Sequence, residues 1–291
     1  MFEKNKIYTG NVFELATILP EKSIDCIVTS PPYYKLRNYN IDGQLGSEKT
    51  PSEFIDNLVK VFRILKNSLK DDGQLWLNIG DTYSRGDELS KEKELIGIPW
   101  RLALALSNDG WLLRQDIIWA KGISGDERIG STMPEPVRDR FVNSKEYIFL
   151  FTKNKNYYFN ADSIREKLVS EGKARKFSKK EQSENRNDVG RVYDPAMSDG
   201  FGKMRSVWRI NPQSGTSGKH IAGFPEKIPF YCISAGTRPN SDSVVLDPFM
   251  GSGTVAKVAL ELGRSFVGFE LNPDYVSIAE NRIKKYKNNF Y

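Results

Sequence analysis

Val244-Val245-Leu246-Asp247-Pro248-Phe249-Met250-Gly251-Ser252-Gly253-Thr254 passes from an apolar, β-branched run through a glycine turn into the start of a helix. The run reads as a buried strand. Val255–Leu262 reads as the helix, with Gly263 as its C-cap. Ser265–Phe269 is a second strand, and it delivers Glu270, 23 positions after Asp247. Strand, glycine turn, helix, strand and terminal acid form the first half of a Rossmann-like unit. Glycines let the backbone approach a ligand, and an acid ending the second strand can hold ribose hydroxyls. The turn lacks the full G-x-G-x-x-G, having Val255 and Ala256 after Thr254. That favours a nucleoside over a dinucleotide with its pyrophosphate.

A second corner stands far upstream. Ile24–Thr29 reads as a buried strand, and Ser30-Pro31-Pro32-Tyr33 follows it. Neither proline can donate a backbone N–H, so the strand ladder stops in a stiff turn. A hydroxyl, backbone carbonyls and an aromatic ring then meet at one strand end. Such a set suits gripping a flat base and its exocyclic amine. A Pro-Pro pair that merely ends a strand has the same local signature.

Together the two corners resemble the DNA amino-methyltransferases, whose catalytic motif has the form Ser/Asp/Asn-Pro-Pro-aromatic. Here it stands as Ser30-Pro31-Pro32-Tyr33, and the family's cofactor motif resembles Asp247–Thr254. Catalytic motif first and cofactor motif last is the order of the β group. His220-Ile221-Ala222-Gly223-Phe224-Pro225-Glu226 and Asp116-Ile117-Ile118-Trp119-Ala120-Lys121 are similar to further family segments. The resemblance implies an α/β Rossmann-like fold. Its mixed sheet is circularly permuted, with helices on both faces and a small basic target-recognition lobe. It implies S-adenosyl-L-methionine as cofactor and double-stranded DNA as partner. A companion restriction endonuclease is possible, and the chain is expected to be a monomer or homodimer.

The resemblance makes Ser30, Pro31, Pro32 and Tyr33 catalytic, with Tyr34 a second choice for stacking on the base. Asp247, Pro248, Phe249, Gly251, Gly253, Thr254 and Glu270 are the cofactor residues, with His220 and Phe224 as additions. Asn11 occupies a corner where the family often has an acid facing the cofactor's adenine. The Ser-Pro-Pro-Tyr version resembles enzymes that make N4-methylcytosine, whereas Asp-Pro-Pro-Tyr is more typical of N6-methyladenine. Adenine is therefore the alternative target. A duplex buries the amine, so the base is expected to flip out. An inactive DNA-binding relative and a nicotinamide oxidoreductase are rivals, disfavoured by the intact corner and the short glycine turn.

Composition narrows the chemistry further. Two cysteines cannot form a disulfide framework, and no segment approaches the roughly 18 apolar residues of a membrane helix. The polar N-terminus shows no signal peptide, so a cytoplasmic protein is expected. Cys26 and Cys232 lie in apolar runs as small core residues, which disfavours cytosine C5 methylation by a thiolate. One histidine without a cysteine cluster suggests no metal site. Residues 161–220 hold 13 Lys/Arg against 8 Asp/Glu, nearly all of the chain's net +6. A basic stretch poor in apolar residues suggests phosphate contact.

The expected organisation is a catalytic domain in two parts, 1–160 and 213–291, split by a basic, partly flexible target-recognition region at 161–212. Lys6–Tyr8 is a short strand and leads into a helical stretch through Leu19. Residues 34–49 read as a mobile loop beside the catalytic corner. Thr50-Pro51-Ser52-Glu53 opens a helix with Thr50 as N-cap. Phe54, Leu58, Phe62, Leu65 and Leu69 form its buried stripe. Asp71-Asp72-Gly73 is the expected turn before a strand at Gln74–Ile79. Asp81 is either a ligand contact or a cap. Ile98–Asn108 is a helix, and Leu113–Ala120 and Tyr147–Thr152 are strands. The long Gly122–Arg140 connection reads as functional, and residues 178–188 as mobile. Asn272 caps a closing helix that ends at Tyr286.

Overall fold

The computed structural model describes residues 2–36, 41–125, 129–132, 134–167, 200–212, 224–240 and 242–287. Chain order runs β1 Lys6–Thr9, α1 Val12–Thr17, β2 Ile24–Thr29, α2 Pro51–Ser68, β3 Leu69–Ile79, α3 Ile98–Asn108 and β4 Leu112–Ala120. The short β5 Gly122–Ile123 and β6 Ile129–Gly130 follow, then β7 Lys145–Thr152, β8 Glu166–Lys167, β9 Phe201–Gly202 and β10 Val207–Arg209. The last part is α4 Lys227–Gly236, β11 Val244–Asp247, α5 Thr254–Glu261, β12 Ser265–Glu270 and α6 Pro273–Lys287.

Eight strands form one sheet in the order β1-β12-β11-β2-β3-β7-β4-β10. Every pair is parallel except those of β7, which runs against β3 and β4. The C-terminal strands β11 and β12 thus lie inside the sheet beside β2, as the permuted order requires. Their fully buried apolar runs match parallel strands covered on both faces. Alternation splits the core in two. Leu75, Leu77, Phe149 and Phe151 pack with α1, α2 and α3. Cys26, Trp76, Ile148 and Leu150 pack with α4, α5 and α6. Both cysteines are free and fully buried, and burial pushes their thiols up, so neither offers a thiolate.

The sequence expectations hold for the long elements. β2 and α3 have the expected ends, and the Thr50 hydroxyl caps α2 by accepting the Glu53 amide at 3.1 Å. The Asn272 side chain accepts the Asp274 amide at 2.9 Å before α6. Two expectations fail. Asp71-Asp72-Gly73 is not a turn: β3 begins at Leu69, where Leu69 pairs with Ile24 and the register then shifts. Lys22 and Arg238 pair with Asp71 and Asp72, so solvent-facing partners hold the acids in a strand. The described part of the 34–49 loop is packed rather than loose. Leu45 is buried, and Gly46 returns to the corner, its carbonyl accepting the Lys35 amide at 2.7 Å.

Val207–Arg209, within the expected 161–212 region, add a strand to the main sheet beside β4. Residues 168–199, including the 178–188 stretch, and His220 lie outside the described residues. No described helix is long and apolar enough to cross a membrane.

Candidate active site

The sheet changes direction of travel between β11 and β2. From β11 the chain proceeds outward to β12, and from β2 it proceeds the other way to β3. Open α/β sheets bind ligands at such a switch point, beyond the carboxyl ends of the strands. The glycine turn leaves β11 there, and Ser30-Pro31-Pro32-Tyr33 leaves β2 there. Two buried acids tie β2 to β11, Asp25 at the strand starts and Asp247 at the corners. Asp25 accepts the Val244 amide at 2.9 Å and the Lys70 ammonium at 2.8 Å. Asp247 accepts the Thr29 hydroxyl at 2.7 Å and the Phe249 amide at 3.0 Å. Burial raises the Asp247 carboxyl to about 7. Asp247, expected among the cofactor contacts, also joins the two corners through its bond to Thr29.

The cofactor side is built around Glu270. Its carboxylate accepts the Gly251 amide at 2.7 Å and the Asn272 amide at 2.8 Å, and burial raises its pKa. Gly251 and Gly253 both sit in the left-handed region, at φ 51° and 81°, which a side chain adopts at a cost. A Cβ on Gly253 would come within 2.9 Å of the Ala279 Cβ on α6. A Cβ on Gly251 would meet only the Phe249 carbonyl oxygen, 4.0 Å away, so the turn opens onto free space there. Pro248 is buried, and Phe249 and Phe224 are half-buried. Thr254 is buried and accepts the Arg282 guanidinium at 3.0 Å. Asn11 sits beside Glu270 because β1 pairs with β12 through Thr9 and Glu270. Its side-chain oxygen caps α1 by accepting the Phe13 amide at 2.9 Å.

The catalytic side centres on Tyr33. Its ring rests on Gly80, where an added Cβ would come within 2.6 Å of Cε2. Its hydroxyl donates to Glu146 Oε2 at 2.5 Å, and the Ser30 hydroxyl lies 3.4 Å away as a donor to it. Glu146 in turn pairs with Lys121 and accepts Asn78 Nδ2 at 3.1 Å. Burial, and then the Glu146 charge, push the Tyr33 phenol well above its usual range. Tyr34 is no stacking candidate. It is buried against Phe54, and its hydroxyl donates to the Lys49 carbonyl at 3.2 Å. Asp81 is a helix cap, accepting the amides of Gly97 and Ile98 ahead of α3.

Sequence reading missed Asn78, Glu146, Lys121 and Arg282. Lys121 ends a segment already singled out, but no local pattern marks the other three. Register explains the cluster. Ile79 faces Tyr147 and Trp119 faces Glu146, so antiparallel β7 starts where β3 and β4 end. Among the described residues, no group of three or more His, Cys, Asp or Glu is placed to hold a metal.

A family model described as DNA methylase matches residues 24–281, a span that includes both corners. The chain belongs to that DNA methylase family. This methylase is 42% identical over 300 residues to the Type II methyltransferase M.SmaI of Serratia marcescens, covering 96% of this chain and 90% of that protein. It is 39% identical to M.Cfr9I of Citrobacter freundii, covering 96% and 87%. A solved structure titled PvuII DNA methyltransferase (cytosine-N4-specific) matches with a TM-score of 0.69 at 20% identity, covering 99% of this chain and 92% of that one. That match shows the shared fold.

Proposed function

We propose that this methylase transfers a methyl group from S-adenosyl-L-methionine to the exocyclic N4 of a cytosine flipped out of double-stranded DNA. The observation that carries it is the Ser30-Pro31 corner, held against the glycine turn across the switch point by the Thr29–Asp247 bond. The residues present fit the cofactor. The free space at Gly251 admits a ligand close to backbone, and the Glu270 carboxylate beside it suits a ribose diol. S-adenosyl-L-methionine supplies an electrophilic methyl on a sulfonium. Gly251, Gly253, Pro248 and Phe249 would form its cradle, Thr254 would hold that cradle's helix start, and Asn11 would face the adenine. Phe224 and His220 belong to the segment assigned beside it.

Cytosine N4 is a poor nucleophile because its lone pair is delocalised into the ring. Acceptors aimed at the two amine hydrogens favour a pyramidal nitrogen and stabilise its developing charge. The Ser30 hydroxyl and the Pro31 carbonyl take these roles, and Pro32 stiffens the corner. Tyr33, seated on Gly80 and tied at its hydroxyl, is the stacking platform. Such stacking contributes about 1–3 kcal/mol per base. A neutral serine in place of an aspartate supports cytosine over adenine.

Duplex contact falls to the basic 161–212 region and to the exposed Arg138, Phe141 and Lys145 beside the β4–β7 end. The Type II relatives support a companion endonuclease cutting the same site. Ser30→Ala tests the reading: turnover falls while cofactor affinity holds. Equal losses in both would remove Ser30 from the chemistry.

A further inference from the structure

We propose that Glu146 is a positioning residue that acts through Tyr33 to turn the Ser30 hydroxyl into a pure acceptor toward the target amine. The inference rests on the reading of Ser30 above and deepens it. A phenol oxygen has one proton to give and two lone pairs to fill. Three groups surround that of Tyr33: Glu146 Oε2 at 2.5 Å, Asn78 Oδ1 at 3.1 Å and Ser30 Oγ at 3.4 Å. Glu146 is the charged acceptor of the set and the nearest, and an ionised acceptor makes the stronger hydrogen bond. The single proton therefore goes to Glu146.

The consequence passes to Ser30. With the phenol proton committed to Glu146, the phenol oxygen has only lone pairs left for Ser30. The serine can then meet it only as a donor. Its own single hydrogen is thereby used inside the protein, and its lone pairs are left for other partners. An exocyclic amine offers two hydrogens and no free lone pair, so this polarity is the one that grips it. A serine free to rotate would instead spend part of its time with its hydrogen toward the amine.

Glu146 is fixed for this task from both sides. The Lys121 ammonium pairs with Oε1, and Asn78 Nδ2 donates to Oε2 at 3.1 Å and to the Tyr147 carbonyl at 3.1 Å. Both members of the ion pair are mostly shielded, at 11% exposure for Glu146 and 25% for Lys121. Breaking such a pair leaves a charge without its partner; Glu146→Gln leaves the more exposed member, Lys121, and keeps a side chain of the same shape.

The test is a cycle of Tyr33→Phe, Glu146→Gln and the double variant, read by single-turnover methylation of duplex DNA and by calorimetric S-adenosyl-L-methionine binding. Each single variant is expected to slow methylation about tenfold to hundredfold, with cofactor Kd within about twofold of wild type. The double variant should be no slower than the slower single, since both act through one hydroxyl. Losses that multiply, or a Glu146→Gln variant at full rate, would overturn the relay. Circular dichroism melting of Glu146→Gln separates misfolding: a folded variant with multiplied losses still refutes it. The wild-type product is measured alongside. Wild type that methylates no exocyclic amine overturns the Ser30 reading and the relay with it. Wild type that methylates an amine beside an unimpaired Glu146→Gln overturns the relay alone.

Discussion

Gly80→Ala is a clean steric probe of the Tyr33 seat. Gly80 is not among the glycines at positive φ, so alanine fits its backbone without strain. At such positions Gly→Ala alone adds about 0.4–1 kcal/mol of stability by restricting the unfolded chain. The new methyl, however, would stand 2.6 Å from Tyr33 Cε2 and 3.1 Å from Cδ2. Ordinary carbon contacts are about 3.5–4.0 Å, so the ring must retreat by about 1 Å. That motion pulls the hydroxyl off Glu146, to which it is bonded at 2.5 Å. A hydrogen bond to a charged group contributes about 1.5–3 kcal/mol. Applied to the methyl-transfer barrier, this is a loss of about tenfold to 150-fold in turnover. Cofactor affinity should stay within about twofold, since Glu270 and Gly251 are untouched. Steady-state kinetics with varied cofactor, and the same substitution in a Tyr33→Ala background, form the assay. In that background the methyl meets no ring and its cost should vanish. Wild-type turnover in Gly80→Ala, or an equal cost in both backgrounds, would refute the seating of Tyr33.

Asp247→Asn should flatten the pH dependence of stability. A carboxyl raised from 3.8 to about 7 binds its proton more tightly in the folded state. Its stabilising contribution is therefore full below about pH 4 and is lost as pH rises through about 7. The loss is at most about 4 kcal/mol, at ~1.4 kcal/mol for each tenfold difference in proton affinity between the folded and unfolded chain. Urea unfolding at pH 5 and pH 8 reads it, and an Asn variant with the wild-type slope against pH would contradict it. Arg282→Ala removes the guanidinium that donates to Thr254, the Ser252 carbonyl and Glu226. We expect a threefold to thirtyfold weaker cofactor Kd, from about 0.7–2 kcal/mol, with turnover at saturation preserved. An unchanged Kd by calorimetry would mean the clamp does not shape the turn. Glu270→Gln should likewise weaken cofactor binding by about tenfold or more, since its charge-assisted bond to the Gly251 amide is lost. The same Kd in both proteins would remove Glu270 from the cofactor pocket.

The long, strongly patterned elements were legible in the sequence. β2 and α3 have their expected ends because unbroken apolar runs and a 3.6-residue stripe leave few alternatives. The two corners were legible because proline and glycine act locally. The Asp71-Asp72-Gly73 segment was not, because its composition is that of a turn. Only pairing with β2 and the distant partners Lys22 and Arg238 hold it extended. The same limit hid part of the site. Glu146 stands 113 positions from Tyr33, and Asn78 stands 45. Neither spacing has a local signature, since the register of an antiparallel strand inserted between β3 and β4 brings them together. The bond of Asp247 to Thr29, 218 positions away, is likewise invisible in its local motif.

Digested DNA from cells that lack modified bases but express this methylase, quantified as nucleosides by mass spectrometry, tests the target most directly. Accumulation of N4-methylcytosine, absent from a Ser30→Ala control, is the expected result. N6-methyladenine in its place would contradict the cytosine assignment of the Ser30 corner.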